Sequence, residues 1–194
     1  MLGSLCPEGN AATGAQSMSP PDLLVESIRI TQVMDCLADP ERIRAVAVPS
    51  TDIGPALPYL ASLLPQAGYN HEAGILTLVH HGRLLTVYRQ LVTLAKALDE
   101  QDAEDVLEWL RQKINLAYAE RDRIAPCFGR RRSPRLLDIY QLLPRDNCRR
   151  CGQQTCMALA ARLAFGEAGL EDCPRLSEPT FAENRARLAE WLGL

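Results

Sequence analysis

Four cysteines near the C-terminal end, Cys148, Cys151, Cys156 and Cys173, stand in the spacing C-x2-C-x4-C-x16-C, with Pro174 directly behind the last. Three sulfurs from one short loop and a fourth from a longer return can meet around one centre, as in a four-sulfur metal cage. Such a cage dictates the path of the chain around it. The rest of the sequence is read against that constraint.

The chain has 194 residues, 47% of them hydrophobic, enough for one domain of ordinary size and a small second one. A net charge of −3 argues against nucleic acid as the partner of the whole chain. No apolar run approaches the roughly 18 residues of a transmembrane helix, and the start lacks the pattern of a secretory signal. The expected location is therefore cytoplasmic and reducing, where the seven cysteines are read as metal ligands or buried thiols rather than disulfides. Cys6, Cys36 and Cys127 share no close spacing with one another.

Hydrophobic periodicity divides the chain. Residues 1–22 show no period and are expected to be disordered, with Met18 an alternative start to Met1. Ile28 to Met34 and Ile43 to Val48 read as strands, and a short helix is expected before Pro65. Ile75 to Val79 and Leu84 to Tyr88 form a hairpin around His81-Gly82, followed by a strand over Leu91 to Ala95. Asp102 to Arg123 carries the apolar stripe of an amphipathic helix. Residues 23–124 are thus an α+β domain with an antiparallel sheet packed with helices. Residues 125–135, with Pro126, Gly129, Pro134 and four arginines, are expected to be a basic linker. Residues 136–194 form a small, mainly helical cluster domain ending in an amphipathic helix.

Within that second unit, Gly152 permits a sharp loop behind Cys148 and Cys151. Thr155 is a suitable N-cap for a helix beginning at Cys156 and running to Gly166. The positive end of that helix would favour an anionic group among the sulfurs. The long return before Pro174 favours a 4Fe-4S cluster over zinc, whose modules more often show two short cysteine pairs. Zinc and unligated thiols remain as alternatives.

The run Leu142-Leu143-Pro144 through Asn147-Cys148, then Cys151-Gly152, Thr155-Cys156, Ala158, Ala160, Gly166 and Cys173-Pro174, resembles a known four-cysteine domain. That domain occurs in the large subunit of the corrinoid iron-sulfur protein and in the B subunit of Rnf-type electron-transport complexes. The resemblance covers about residues 136–178. It implies one 4Fe-4S cluster on Cys148, Cys151, Cys156 and Cys173, and one-electron exchange with a protein redox partner. The family usually has glycine where this chain has Arg149. A corrinoid-binding barrel is not expected beside the motif, so corrinoid chemistry is not carried over.

Arg130, Arg131, Arg132, Arg135, Arg145, Arg149 and Arg150 surround the motif and would either steer an acidic partner or compensate an anionic cluster. No aromatic platform for RNA accompanies them. His71, His80 and His81 read as surface turn residues, Cys36 as a buried thiol and Cys127 as an exposed linker thiol. No catalytic dyad, phosphate loop or dinucleotide fingerprint is visible. The expected function is electron transfer or a redox accessory role. The alternative is a structural or regulatory partner-binding module stapled by the cluster.

Overall fold

The computed structural model describes residues 23–37 and 39–192. The expected disorder of residues 1–22 lies outside them. Strands β1 (Ile28–Asp35), β2 (Ile43–Pro49), β3 (Gly68–Asn70), β4 (Ile75–His80), β5 (Arg83–Val87), β6 (Val92–Ala97) and β7 (Arg130–Arg131) make one antiparallel sheet in the order β1-β2-β6-β5-β4-β3-β7. Helices α1 (Leu57–Leu63) and α2 (Glu100–Ala119) accompany it. The architecture is α+β.

Alternation along the strands decides which face the helices cover. Ala45 and Ala47 of β2, Leu76 and Leu78 of β4, Leu85 and Val87 of β5, and Val92 and Leu94 of β6 are all buried in one core. Ala103, Val106, Leu107, Leu110, Ile114 and Ala117 supply the facing stripe of α2. Asp99 caps α2 by accepting from the Asp102 N–H at 2.8 Å, so the helix starts slightly before the position expected from its stripe. Asn115, buried on the same helix, accepts from the Val25 N–H and donates to the Val25 carbonyl, both at 2.8 Å. A polar side chain there costs little because it replaces a strand partner for that backbone.

The β4–β5 hairpin turns on His81 and Gly82, at φ 46° and 80°. Two successive left-handed residues match the twist of the flanking strands, which is why Gly82 suits the turn. His80, at the end of β4, differs from the expected surface turn residue. It stacks on Trp109 of α2 with centroids 3.7 Å apart and planes at 13°. Long-range packing of α2 against the sheet put the indole there.

Within the stretch expected to be a linker, Arg130–Arg131 pairs with Tyr69 and Asn70 of β3. The Arg131 guanidinium reaches inward and donates to the carbonyls of Ala61, Leu64 and Ala67. These acceptors lie at and beyond the C-terminal end of α1, where backbone carbonyls have no helical partner. Cys127 corrects the expected exposed thiol, since it is fully buried in the main core and disulfide-bonded.

A second core gathers separately around α3 (Leu136–Leu142), α4 (Cys156–Ala164) and α5 (Ala182–Leu192). Ile139, Leu143, Leu159, Leu163, Leu170, Leu176 and Leu188 fill it together with Cys156 and Cys173. The C-terminal amphipathic helix packs back as expected, with Leu188 fully buried. Where this unit meets the sheet, Gly166 lies against the His81-Gly82 turn. A Cβ on Gly166 would stand 3.2 Å from the Gly82 nitrogen. No described helix is long and apolar enough to cross a membrane.

Candidate metal centre

The loop carrying Cys148 has an unusual backbone. Arg145, Asn147 and Arg149 have φ values of 62°, 51° and 61°, whereas the intervening Asp146 and Cys148 do not have positive φ. This alternation coils the backbone tightly around Cys148, whose N–H donates to Asp146 Oδ1 at 3.4 Å. Arginine in the left-handed region costs roughly 1–2 kcal/mol per residue. Asparagine tolerates it better.

Cys151 sits in the next turn, closed by the Gly152 N–H donating to the Arg149 carbonyl at 3.0 Å. Gly152 has φ 77° and open space around its α-carbon, so conformation rather than crowding calls for glycine. Thr155 then caps α4, its Oγ1 accepting from the Ala158 N–H at 3.1 Å. From the cysteine loop, Asn147 Oδ1 accepts the Cys156 N–H at 2.8 Å. These two side chains satisfy most of the helix's first turn. Of the amides expected to face the site, Met157 N–H is left without an acceptor among the described residues.

Cys173 lies between two short 3-10 turns, Leu170–Asp172 and Pro174–Ser177. Pro174 opens the second, where its missing N–H is no loss. Burial pushes the Cys173 thiol up, the Leu176 and Arg175 backbone N–H groups pull it down, and nearby Cys151 and Cys148 raise it again. The net direction is upward, and the mutual influence marks these sulfurs as neighbours. Arg175 ties this turn back to the loop: it pairs with Asp146 and with Glu178 at 3.2 Å, and lies 5.4 Å from the Phe181 ring centroid. Partial burial raises the Asp146 carboxyl, but its bond to Arg175, the Arg175 charge and bonds from Cys148 outweigh that and hold it below its usual range.

Exposure is graded across the four sulfurs. Cys148 is exposed, Cys151 is half-buried, and Cys156 and Cys173 are buried in the second core. Arg145, Arg149 and Arg150 around Cys148 are exposed and make no ion pair among the described residues. Arg131 and Arg135, by contrast, are engaged with backbone carbonyls and with Asp138. Among the described residues, no three His, Cys, Asp or Glu side chains are drawn together tightly enough to hold a single metal ion. Four soft donors beside exposed arginines that make no ion pair among the described residues fit an anionic, sulfur-ligated group.

Asp146 and Arg175 are site residues that sequence reasoning passed over, and Asn147 entered it only as part of the resembling run. The signal available for Asn147 was its residue type beside a ligand-like cysteine, because asparagine commonly occupies left-handed positions. Nothing local pointed from Asp146 to Arg175.

The family described as "Putative Fe-S cluster" matches residues 143–175. The acetyl-CoA decarbonylase/synthase complex subunit gamma of Methanocaldococcus jannaschii is 44% identical over 54 residues, which are 28% of this chain and 11% of that protein. The corrinoid/iron-sulfur protein large subunit of Moorella thermoacetica is 50% identical over 42 residues, 22% of this chain and 9% of that protein. The corresponding gamma subunit of Methanothermobacter thermautotrophicus is 49% identical over 41 residues, 21% and 9% of the two chains. The chain thus spans about a tenth of the length of these curated relatives. No solved structure is significantly similar to it. The stretch around the four cysteines is thus similar to the iron-sulfur cluster family and, over that segment alone, to the corrinoid/iron-sulfur protein large subunit and to the gamma subunits of the acetyl-CoA decarbonylase/synthase complex.

Proposed function

We propose that Cys148, Cys151, Cys156 and Cys173 bind one 4Fe-4S cluster and that the protein exchanges single electrons with an acidic protein partner. The observation that carries this reading is the arrangement of four cysteines around a left-handed loop beside a second core. A 4Fe-4S cluster bound there supplies one-electron redox chemistry. The chain's own residues do the rest. Cys156 and Cys173 anchor the site in apolar packing, the Met157 N–H offers a donor to negative charge, and Cys148 provides the solvent-facing edge.

Arg145, Arg149 and Arg150 around that edge attract an acidic surface, raising association rates and fixing orientation. Relatives with this segment are named as subunits of a complex, which supports a protein partner here. The proposed organisation is an α+β unit over residues 23–124, the basic stretch 125–135 and the cluster unit from 136 onward.

Anaerobic reconstitution tests the ligand set. About four irons and four sulfides per chain are expected, together with an absorbance that bleaches on reduction. Cys156→Ala should lose both. Stoichiometric zinc without iron, or full iron in the variant, refutes the assignment.

A second reading, a structural staple, is favoured by the burial of Cys156 and Cys173 among the few residues of the second core. A cluster that cannot be reduced reversibly, but whose removal unfolds residues 136–192, would support that reading instead.

A further inference from the structure

On the sheet face away from α2, the β2–β6 pairing slips by one residue. Ile43 faces Ala97 and Arg44 faces Ala95, so Lys96 is the extra residue of a β-bulge. Its φ is 65°, a left-handed conformation that lysine adopts at a cost. The bulge aims the ammonium across the sheet, 4.8 Å from the Phe165 ring centroid. Bulges commonly re-aim a side chain in this way beside binding sites.

Lys96 and Arg44 border a hollow of about 210 Å³. Leu37, Val79, Leu84 and Phe165 supply apolar wall, and no carboxylate among the described residues lines it. Leu37, Leu84 and Phe165 remain 88%, 42% and 47% exposed, a concentration of apolar surface beside two cations. Neither cation has an ion pair among the described residues. Among the described residues, Arg44 Nε is buried with no acceptor, and its Nη2 finds only the Met34 sulfur at 3.9 Å. Two cations without an ion pair among the described residues, set beside apolar wall, suit an anion with an apolar body.

We propose that this hollow binds a small apolar carboxylate, its chain against Leu84 and Phe165 and its carboxylate between Arg44 and Lys96. The site is independent of the cysteine loop and of the electron-transfer reading. Calorimetric titration of the full chain with octanoate tests it, with octanol and octylamine as controls. Octanoate should bind saturably and both controls should bind at least about tenfold more weakly, as expected for loss of a charge-assisted hydrogen bond.

Lys96→Gly removes the ammonium while suiting the left-handed φ, so the variant should keep its melting temperature yet lose octanoate affinity about tenfold. Lys96→Gln should lose affinity similarly. Absence of saturable octanoate binding, octanol binding as tightly as octanoate, or unchanged affinity in a folded Lys96→Gly variant would each overturn the proposal.

Discussion

Asn147 Oδ1 accepts the backbone N–H of Cys156 at 2.8 Å, joining the loop of one candidate ligand to the helix that begins with another. The bond spans the Cys151 turn, so three candidate ligands are held in mutual register by one amide. Asparagine suits the position twice over, through its side-chain oxygen and its tolerance of φ 51°. Asn147→Ala loses both properties and should destabilise the metal-free protein by about 1–2 kcal/mol. Asn147→Gly retains the conformation and should lose clearly less. Chemical denaturation of both variants measures the difference, and equal losses would deny the backbone contribution.

Arg149 presents the opposite balance. Its φ of 61° is easily reached by glycine, the residue usual at this place in the resembling family. Arg149→Gly should stabilise the protein by about 0.5–1 kcal/mol, since relief of left-handed strain exceeds the entropy that glycine adds to the unfolded chain. In reconstituted protein it should also lower the reduction potential, because a positive charge near the cluster favours the more negative reduced state. Protein-film voltammetry reads this shift, and an unchanged or higher potential would count against an electrostatic role.

His80 predicts a pH dependence far from the cysteines. Burial first, then the charges of His81, Arg83 and Lys113, lower its pKa from 6.5 to about 4. An unfolded chain takes up a proton at this residue where the folded one does not. Stability from this source is therefore complete above about pH 6.5 and declines as pH falls toward 4, by at most about 1.4 kcal/mol per pH unit. His80→Phe preserves stacking on Trp109 and removes the titration. Its stability should change less over that window in equilibrium denaturation at stepped pH.

Arg131→Met tests the tie between the basic stretch and the sheet. The substitution keeps an apolar stem but leaves the carbonyls of Ala61, Leu64 and Ala67 without their guanidinium donor. A loss of about 2–4 kcal/mol is expected, near the cost of orphaned buried acceptors. Hydrogen exchange should rise in α1 and β3 and change little in α4. A stability change within about 0.5 kcal/mol, typical of an ordinary surface substitution, would refute this role.

Local signals made much of the fold legible. The His81-Gly82 hairpin, the stripe from Ala103 to Ala117 and the Thr155 cap depend on neighbours within a turn or two, and periodicity or residue type exposes them. The partners of the shortest strands are different. Nothing near Tyr69 or Arg131 announces that β3 and β7 pair, and α3 is too short for its period to stand out.

The sequence by itself determined the four-cysteine spacing, the α+β alternation and the basic composition around the motif, because these properties are written in residue order. Only the tertiary structure decided the rest. It buried Cys156 and Cys173 while exposing Cys148, turned Arg131 inward while leaving Arg149 exposed, and set His80 on Trp109 and Arg175 on Asp146. These outcomes depend on which distant segments compete for the same space and the same unpaired polar atoms, and sequence periodicity carries no record of that competition.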